Sequence, residues 1–213
     1  ITATSEHVIF SANHIDQPRE LHAWKATISS RELEPLTNGA GLHSIAIGGN
    51  TTVIRSASMH NQRSSTLVNN QHELVNHAET CMLEVNVSFH EIGSRKISAA
   101  IVLPHHHDGS PLPVLFDPYG GPHAQRVVSS SIAYASAQWF ANQGFCVVIA
   151  DGSGTPGRGS QWEREVYHDL ATPVLNDQIE VLRHLREVTS CADTSRVAIR
   201  GWSFGGYLAA LAV

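Results

Sequence analysis

The sequence predicts a chain of the α/β class that begins with an all-β segment, and three observations support this. Residues 1–78 consist of short extended stretches separated by turn residues. From residue 79 onward, β-type stretches alternate with helix-type stretches, which favours a mostly parallel sheet covered by helices. The length of 213 residues fits one or two domains, and 42% hydrophobic residues is an ordinary share for a globular protein.

The all-β segment contains five β-type stretches at a spacing of nearly ten residues. They are 7–10, 21–28, 43–47, 52–56 and 66–68. Four or five strands make about one propeller blade, which typically takes about 40–50 residues. One blade cannot bury both of its faces alone. We therefore expect residues 1–78 to be the C-terminal part of a longer β-propeller domain.

The second segment, residues 79–213, predicts alternating strands and helices. Predicted strands cover 83–89, 96–103, 113–116, 145–150 and 196–199, with a hairpin at Gly93, and predicted helices cover 131–143, 172–188 and the stretch from 206 onward. Gly144 is a typical residue to end the first helix. Thr172 and Pro173 form an N-cap and N1 pair for the second helix. The predicted buried face of that helix consists of Leu175, Ile179, Leu182 and Leu185.

Composition and charge argue against several classes of protein. The net charge is −5, with 14 Lys and Arg against 19 Asp and Glu and no basic block, so we expect no nucleic-acid partner. No apolar run approaches the length of a membrane span, and we expect no membrane contact. The chain begins with Ile and shows no signal peptide, so we expect a cytoplasmic protein whose natural start is missing.

Cys81, Cys146 and Cys191 are odd in number and widely spaced. This spacing fits neither a disulfide framework nor a paired zinc motif. Cys146 lies in an apolar run and is interpreted as a core thiol. We expect no metal and no cofactor.

The pattern with the most specific chemistry is Gly201-Trp-Ser203-Phe-Gly205, which matches G-x-S-x-G. A β-branched strand precedes it and a helix-compatible apolar run follows, which is the context of a nucleophile elbow. The turn is so sharp that the flanking positions tolerate little more than glycine. It raises the Ser203 hydroxyl above the sheet and directs a helix N-terminus at the reaction centre. A turn that only packs a helix on a strand is the alternative.

A serine nucleophile needs hydrogen-bond donors for the oxyanion. One is the backbone N–H of the next residue, here Phe204. The second is expected from the loop after an earlier strand, where Asp117-Pro-Tyr-Gly-Gly-Pro122 stands. Tyr119 offers a hydroxyl there.

Three blocks, at 119–122, 151–159 and 201–207, resemble in order and spacing the prolyl oligopeptidase family of serine peptidases, and within it the dipeptidyl peptidase IV branch. The resemblance implies an α/β-hydrolase domain after a β-propeller, and cleavage of short peptides after proline or alanine. It further implies that Ser203 is the nucleophile and that the Tyr119 hydroxyl and the Phe204 N–H form the oxyanion hole. A tyrosine often follows the nucleophile in this branch, but Phe204 keeps the N–H.

In this fold the triad runs Ser, Asp, His along the chain. None of the ten residues after Ser203 is Asp or His. We therefore expect the acid and the base to be absent from these residues and the isolated chain to be inactive. The sequence assigns no substrate-binding residues. An acylaminoacyl peptidase, a carboxylesterase and a catalytically inactive fragment remain alternatives, and a homo-oligomer is left open.

Two further patterns are weak. Gly152-Ser-Gly154-Thr-Pro-Gly157 fits the dinucleotide-binding fingerprint, but Pro156 removes a backbone donor where the helix should begin. His105-His-His-Asp108 has metal-binding residue types, but its flanking Pro and Gly favour a solvated turn. Trp162, Tyr167 and Trp202 are interpreted as packing residues.

Overall fold

A computed structural model of the protein describes residues 2–80 and 83–213. Cys81 therefore lies outside the described residues. The chain forms two compact units, Ile1–Met82 with Val128–Ile132, and Leu83–Val127 with Ala133–Val213. The assignment of 1–78 and 79–213 to a propeller and a hydrolase domain stays a prediction. None of the helices in the described ranges is long and apolar enough to cross a membrane.

The first unit is a sheet of eight described strands. In chain order they are β1 Thr2–Ala3, β2 His7–His14, β3 Gln17–Thr27, β4 Leu33–Pro35, β5 Leu42–Gly48, β6 Thr51–Ala57, β7 Ser65–Val68 and β8 His72–Glu73. The sheet order is β1-β2-β3-β5-β6-β7-β8, with β4 beside β3. All pairs are antiparallel except β3 with β5, which pair at Leu21 and Leu42. The five stretches predicted from the sequence lie in β2, β3, β5, β6 and β7.

The second unit combines five described strands with helices. In chain order its elements are β9 Val87–Ile92, β10 Ile97–Val102, β11 Leu112–Phe116, α1 Ala135–Asn142, β12 Cys146–Asp151, α2 Ser160–Arg164, α3 Thr172–Val188, β13 Ala192–Ile199 and α4 Phe204–Leu211. A 3₁₀ turn, Ser131–Tyr134, precedes α1, and its first two residues belong to the first unit. The sheet order is β13-β11-β12-β10-β9. Strands and helices thus share this unit, so the α/β class predicted from the sequence is confirmed.

The sheet is mixed rather than mostly parallel, which corrects the prediction. Strand β11 is parallel to both β12 and β13, whereas β10 is antiparallel to both β12 and β9. The predicted hairpin accounts for the antiparallel pairing of β9 with β10. Gly93 has a φ of 73°, which lets β9 turn directly into β10. The core lies on β10, β11 and β12, where nearly every residue is buried.

Helix α3 has the predicted bounds, but a different residue caps its N-terminus and a different set of side chains is buried. The Asp169 side chain accepts hydrogen bonds of 2.9 Å from the N–H groups of Ala171 and Thr172, so Asp169 performs the capping expected of Thr172. The fully buried residues of the helix are Val174, Asp177, Gln178, Val181 and Leu185. Of the predicted face only Leu185 is fully buried, because the true face includes two polar residues that have partners elsewhere in the unit.

Candidate active site

Ser203 lies where β13 turns sharply into α4. Strand β13 ends at Ile199 and α4 begins at Phe204, so residues 200–203 make the whole connection. Ser203 has φ 55° and ψ −122°, in a region that non-glycine residues rarely adopt. Backbone strain of this kind costs about 1–3 kcal/mol and persists only where the surroundings impose it. The Ser203 side chain is exposed, and among the described residues its hydroxyl has no hydrogen-bond partner.

Two glycines make this turn sterically feasible. A Cβ atom at Gly201 would overlap the backbone of Gly205, and a Cβ atom at Gly205 would overlap the carbonyl oxygen of Pro118. A Cβ atom at Gly206 would find its nearest neighbour 3.4 Å away, so that position has room for a side chain. The requirement for glycine thus falls on the two positions of the G-x-S-x-G pattern and not on the third glycine.

The Tyr119 loop, residues 117–122, meets the turn at Ser203 because the two follow neighbouring strands. Phe116 at the end of β11 pairs with Ile199 at the end of β13, and the strands are parallel, so both connections leave the same edge of the sheet. The Tyr119 and Phe204 rings lie 6.0 Å apart between centroids. The structure therefore brings Tyr119, Ser203 and Phe204 together.

The backbone N–H of Phe204 is the first of helix α4. The first N–H groups of a helix have no acceptor within the helix. In the described part of the chain, no hydrogen bond uses the Phe204 N–H. An unused N–H beside an exposed hydroxyl can bind an anionic oxygen, although the roles of Ser203, Tyr119 and Phe204 in catalysis stay predictions.

The glycine-rich loop after β12 is built around a buried carboxylate. Asp177, which is 1% exposed, accepts hydrogen bonds from the Ser153 N–H at 2.6 Å and from the Ser153 hydroxyl at 2.7 Å. Arg95 donates to the same carboxylate at 2.5 Å and also binds Glu165. Because the Ser153 amide already binds a carboxylate, that amide is not available to a phosphate group, which argues against the dinucleotide interpretation.

The three aromatic residues interpreted as packing residues behave differently. Trp162 packs the glycine-rich loop, since its indole N–H donates to the Gly152 carbonyl at 2.8 Å and its ring lies under the Arg158 guanidinium at 4.0 Å. Tyr167 is 72% exposed and Trp202 is 87% exposed, so the interpretation is wrong for both. At Trp202 the sharp turn points the side chain outward, next to Ser203.

Four buried or half-buried charged residues near the site were missed by the sequence reasoning. They are Asp117, Arg126, Asp151 and Arg200. Asp117 and Asp151 each lie where a buried apolar strand ends, and a carboxylate directly after such a strand is the signal that could have found them. Burial raises the pKa of Asp151 to about 6, while the N–H groups of Val127 and Arg126 that bind it act in the opposite direction.

The remaining candidates contribute nothing to the site. Cys146 is fully buried in the core, and burial raises the pKa of its thiol to about 12. His105 lies in a turn and contacts the Glu84 carbonyl at 2.6 Å. In the described ranges, no three His, Cys, Asp or Glu side chains are placed to hold a metal ion.

These features together define a unit of mixed α/β fold with a strained serine at a strand-to-helix turn. Residues 131–213 match the prolyl oligopeptidase family, so the resemblance seen in the sequence is confirmed. The chain is 32% identical over 112 residues to venom dipeptidyl peptidase 4 of Vespa velutina, over 52% of this chain and 14% of that protein. It is 36% identical over 118 residues to prolyl endopeptidase FAP of Bos taurus, over 53% of this chain and 15% of that protein.

The crystal structure of Porphyromonas gingivalis dipeptidyl peptidase 4 has the same fold over most of this chain. The TM-score is 0.80 at 22% identity, and the match covers 97% of this chain and 31% of the other. The chain therefore spans about a third of that structure, and its matches span about a seventh of the curated relatives.

Proposed function

We propose that the protein containing these 213 residues is a serine peptidase of the dipeptidyl or prolyl type. The supporting relatives carry the names dipeptidyl peptidase and prolyl endopeptidase, and the 131–213 segment matches their family. In this proposal residues 79–213 are the N-terminal part of an α/β-hydrolase domain, and residues 1–78 are the last part of a β-propeller. The substrate is a short peptide with proline or alanine before the cleaved bond.

The strained conformation of Ser203 is the observation that carries the proposal. A left-handed φ in a serine between a strand and a helix costs free energy, and the fold retains it between two glycines at which a Cβ atom would overlap neighbouring backbone. A turn that only packed a helix on a strand would need neither the strain nor an exposed hydroxyl. Strain retained at an exposed nucleophile is typical of a nucleophile elbow.

The proposed reaction is acyl transfer through Ser203. The Ser203 oxygen attacks the carbonyl carbon of the peptide and loses its proton to a general base, and the carbonyl oxygen becomes an oxyanion. The Phe204 N–H and the Tyr119 hydroxyl donate hydrogen bonds to that oxyanion. The amine then leaves with a proton, and water releases the acyl group from Ser203. A strained, exposed serine beside an unused N–H supports these roles.

Labelling with a fluorophosphonate probe tests the nucleophile. In the whole protein that contains these residues, which would supply the acid and the base, we expect modification of Ser203, identified by mass spectrometry, and no modification after Ser203→Ala. Turnover of Gly-Pro p-nitroanilide well above that of p-nitrophenyl esters supports a dipeptidyl peptidase, and the reverse preference would favour a carboxylesterase. A labelled serine other than Ser203 would refute the assignment.

Removal of the Tyr119 hydroxyl tests the oxyanion hole. We expect Tyr119→Phe to lower kcat by ~10²–10³, as the loss of one oxyanion donor does. Thermal unfolding should not change, because the ring that packs near Phe204 is retained. An unchanged kcat would remove Tyr119 from the oxyanion hole. Tyr167→Phe is the matched control, because Tyr167 is 72% exposed and does not lie in the Tyr119 loop.

A further inference from the structure

Asp117 and Arg200 occupy equivalent places on neighbouring strands. Each is the first residue after its strand, β11 for Asp117 and β13 for Arg200, and the Arg200 N–H donates to the Phe116 carbonyl at 2.9 Å. Asp117 stands two residues before Tyr119, and Arg200 stands three residues before Ser203. A contact between these two side chains therefore fixes the separation at which the two connections leave the sheet.

The Asp117 carboxylate makes that contact from a buried position. It is 3% exposed, and each of its oxygens faces one guanidinium group. Oδ1 lies 3.7 Å from Arg200 Nε, and Oδ2 lies 3.2 Å from Arg126 Nη2. Two opposite charges compensate the burial of this carboxylate, whereas a buried carboxylate left with fewer partners is costly.

Arg200 depends on two supports. Its guanidinium carbon lies 4.3 Å from the centre of the Phe140 ring, an arrangement that favours a planar cation. Among the described residues, its buried Nη1 atom has no hydrogen-bond partner. The Asp117 carboxylate and the Phe140 ring therefore determine where this side chain lies.

Arg126 and Asp151 fix the segment that follows the Tyr119 loop. Arg126 Nη1 donates to the Asp117 carbonyl oxygen at 2.9 Å, which ties this segment back to the start of the loop. The Asp151 carboxylate, at the end of β12, accepts hydrogen bonds from the Arg126 N–H at 2.9 Å and the Val127 N–H at 2.7 Å. The chain from 117 to 127, which contains the Tyr119 loop, is thus held near the end of β13 through Asp117 and at the end of β12 through residues 126 and 127.

We propose that Asp117 and Arg200 are positioning residues that hold the Tyr119 hydroxyl at the distance from Ser203 that the oxyanion requires. They act through the Tyr119 loop and touch no reacting atom. This inference rests on the proposed function, because it assumes that Tyr119 donates to the oxyanion. A misplacement of about 1 Å at such a group can lower the rate about 10²-fold.

A double-mutant cycle tests the inference with Gly-Pro p-nitroanilide as substrate. Arg200→Gln should lower kcat about 10-fold and leave KM within about 2-fold, because the ground state does not use the oxyanion hole. Once Tyr119 is phenylalanine, Arg200→Gln should have little further effect, so the double variant should match Tyr119→Phe within about 3-fold. Multiplicative losses, or an unchanged kcat in Arg200→Gln, would overturn the inference.

Arg196→Gln is the matched control, because Arg196 lies on β13, four residues before Arg200, and pairs with Asp193 at 2.6 Å. It makes the same charge change at an exposed position, and kcat should stay at the wild-type value. If Arg200→Gln fails to fold, Arg200→Lys replaces it, since lysine keeps the charge but loses the planar group that stacks on Phe140. Arg200→Lys alone should lower kcat about 3-fold, and the double variant with Tyr119→Phe should match Tyr119→Phe within about 1.5-fold. A further loss of about 3-fold in the double variant would overturn the inference.

The failure of the proposed function is distinguishable from the failure of this inference. If the wild-type protein is not labelled at Ser203 by a fluorophosphonate, both are wrong. If Ser203 is labelled and Tyr119→Phe lowers kcat, but Arg200→Gln acts independently of Tyr119, only the positioning role is wrong.

Discussion

Replacement of Asp177 by asparagine removes a charge from a site where both carboxylate oxygens are in use. Oδ2 accepts from the Ser153 N–H and the Ser153 hydroxyl, and Oδ1 accepts from Arg95. An asparagine side chain has one acceptor oxygen and one NH₂ group. In either orientation the NH₂ group faces a donor, from Ser153 or from Arg95. The side chain at position 177 has little room to rearrange, because it packs closely on Gly152. A Cβ atom at Gly152 would lie only 2.7 Å from the Asp177 side chain.

The expected cost follows from these contacts. A buried donor left without an acceptor costs about 1–3 kcal/mol. The loss of one partner from a buried ion pair costs about 3–5 kcal/mol, but Arg95 keeps Glu165 and is partly exposed, so the full loss is not reached. We expect Asp177→Asn to lower the free energy of unfolding by about 3 kcal/mol. At this chain length that corresponds to a Tm lower by about 10 °C.

Thermal unfolding followed by circular dichroism and by tryptophan fluorescence measures this loss. Trp162, on α2, donates a hydrogen bond to the loop that Asp177 holds, so tryptophan fluorescence should change at lower temperature than the far-ultraviolet signal if the loop opens first. Asp108→Asn is the control, since Asp108 is an exposed carboxylate in the same unit. A Tm for Asp177→Asn within about 2 °C of wild type would refute the reasoning about buried acceptors.

Two further predictions concern the turn and its surroundings. Gly205→Ala should abolish fluorophosphonate labelling of Ser203, because the new Cβ atom overlaps the Pro118 carbonyl, whereas Gly206→Ala should retain labelling; equal labelling of the two would contradict the steric argument. Asp151 has a raised pKa of about 6, so its contribution to stability is complete below about pH 4 and is lost as the pH rises through 6. Relative to Asp151→Asn, the wild-type free energy of unfolding in urea should therefore fall by up to about 3 kcal/mol between pH 4 and pH 7, and a constant difference would exclude this titration.

The sequence predicted those parts of the fold that depend on local signals. Helix α3 was predicted at 172–188 and occurs there, because Pro173 and an apolar periodicity mark it. The turn at Ser203 was predicted because glycine spacing and a strand-to-helix change are both visible in a short window. The placement of Tyr119 near Phe204 followed from the expectation that a second oxyanion donor comes from the loop after an earlier strand, and from the family resemblance.

The sequence could not show which polar residues are buried. Nothing in the local sequence marks Asp177 on α3 as buried, because its partners Arg95 and Ser153 are 82 and 24 positions away. The same holds for Asp117 and Arg200, which are separated by most of the second unit. Whether a charged side chain is buried depends on partners that are this far away in the sequence. A local sequence pattern does not include those partners.

The mixed sheet shows a related limit. Alternation of strands and helices predicted parallel pairing, and it holds for β11 with β12 and with β13. The pairing of β10 with β12 is antiparallel because β9 and β10 form a hairpin beside β12 rather than a crossover. A hairpin has no crossover helix, so the sequence contains no signal that shows where the hairpin pairs within the sheet.

The position of β11 has a consequence for how the molecule is made. This strand is translated before both of its neighbours. Leu112 pairs with Ala192, which is 80 positions later in the chain. Pairing across so long a segment is slow, because its loop-closure entropy is lost before any contact forms. On the ribosome the apolar residues Val114 and Leu115 therefore stay half-covered until β13 has left the exit tunnel. The site around Ser203 needs β13 beside β11, so it cannot assemble before β13 is available, and until then the free edge of β11 is open to chaperones that hold exposed strand edges.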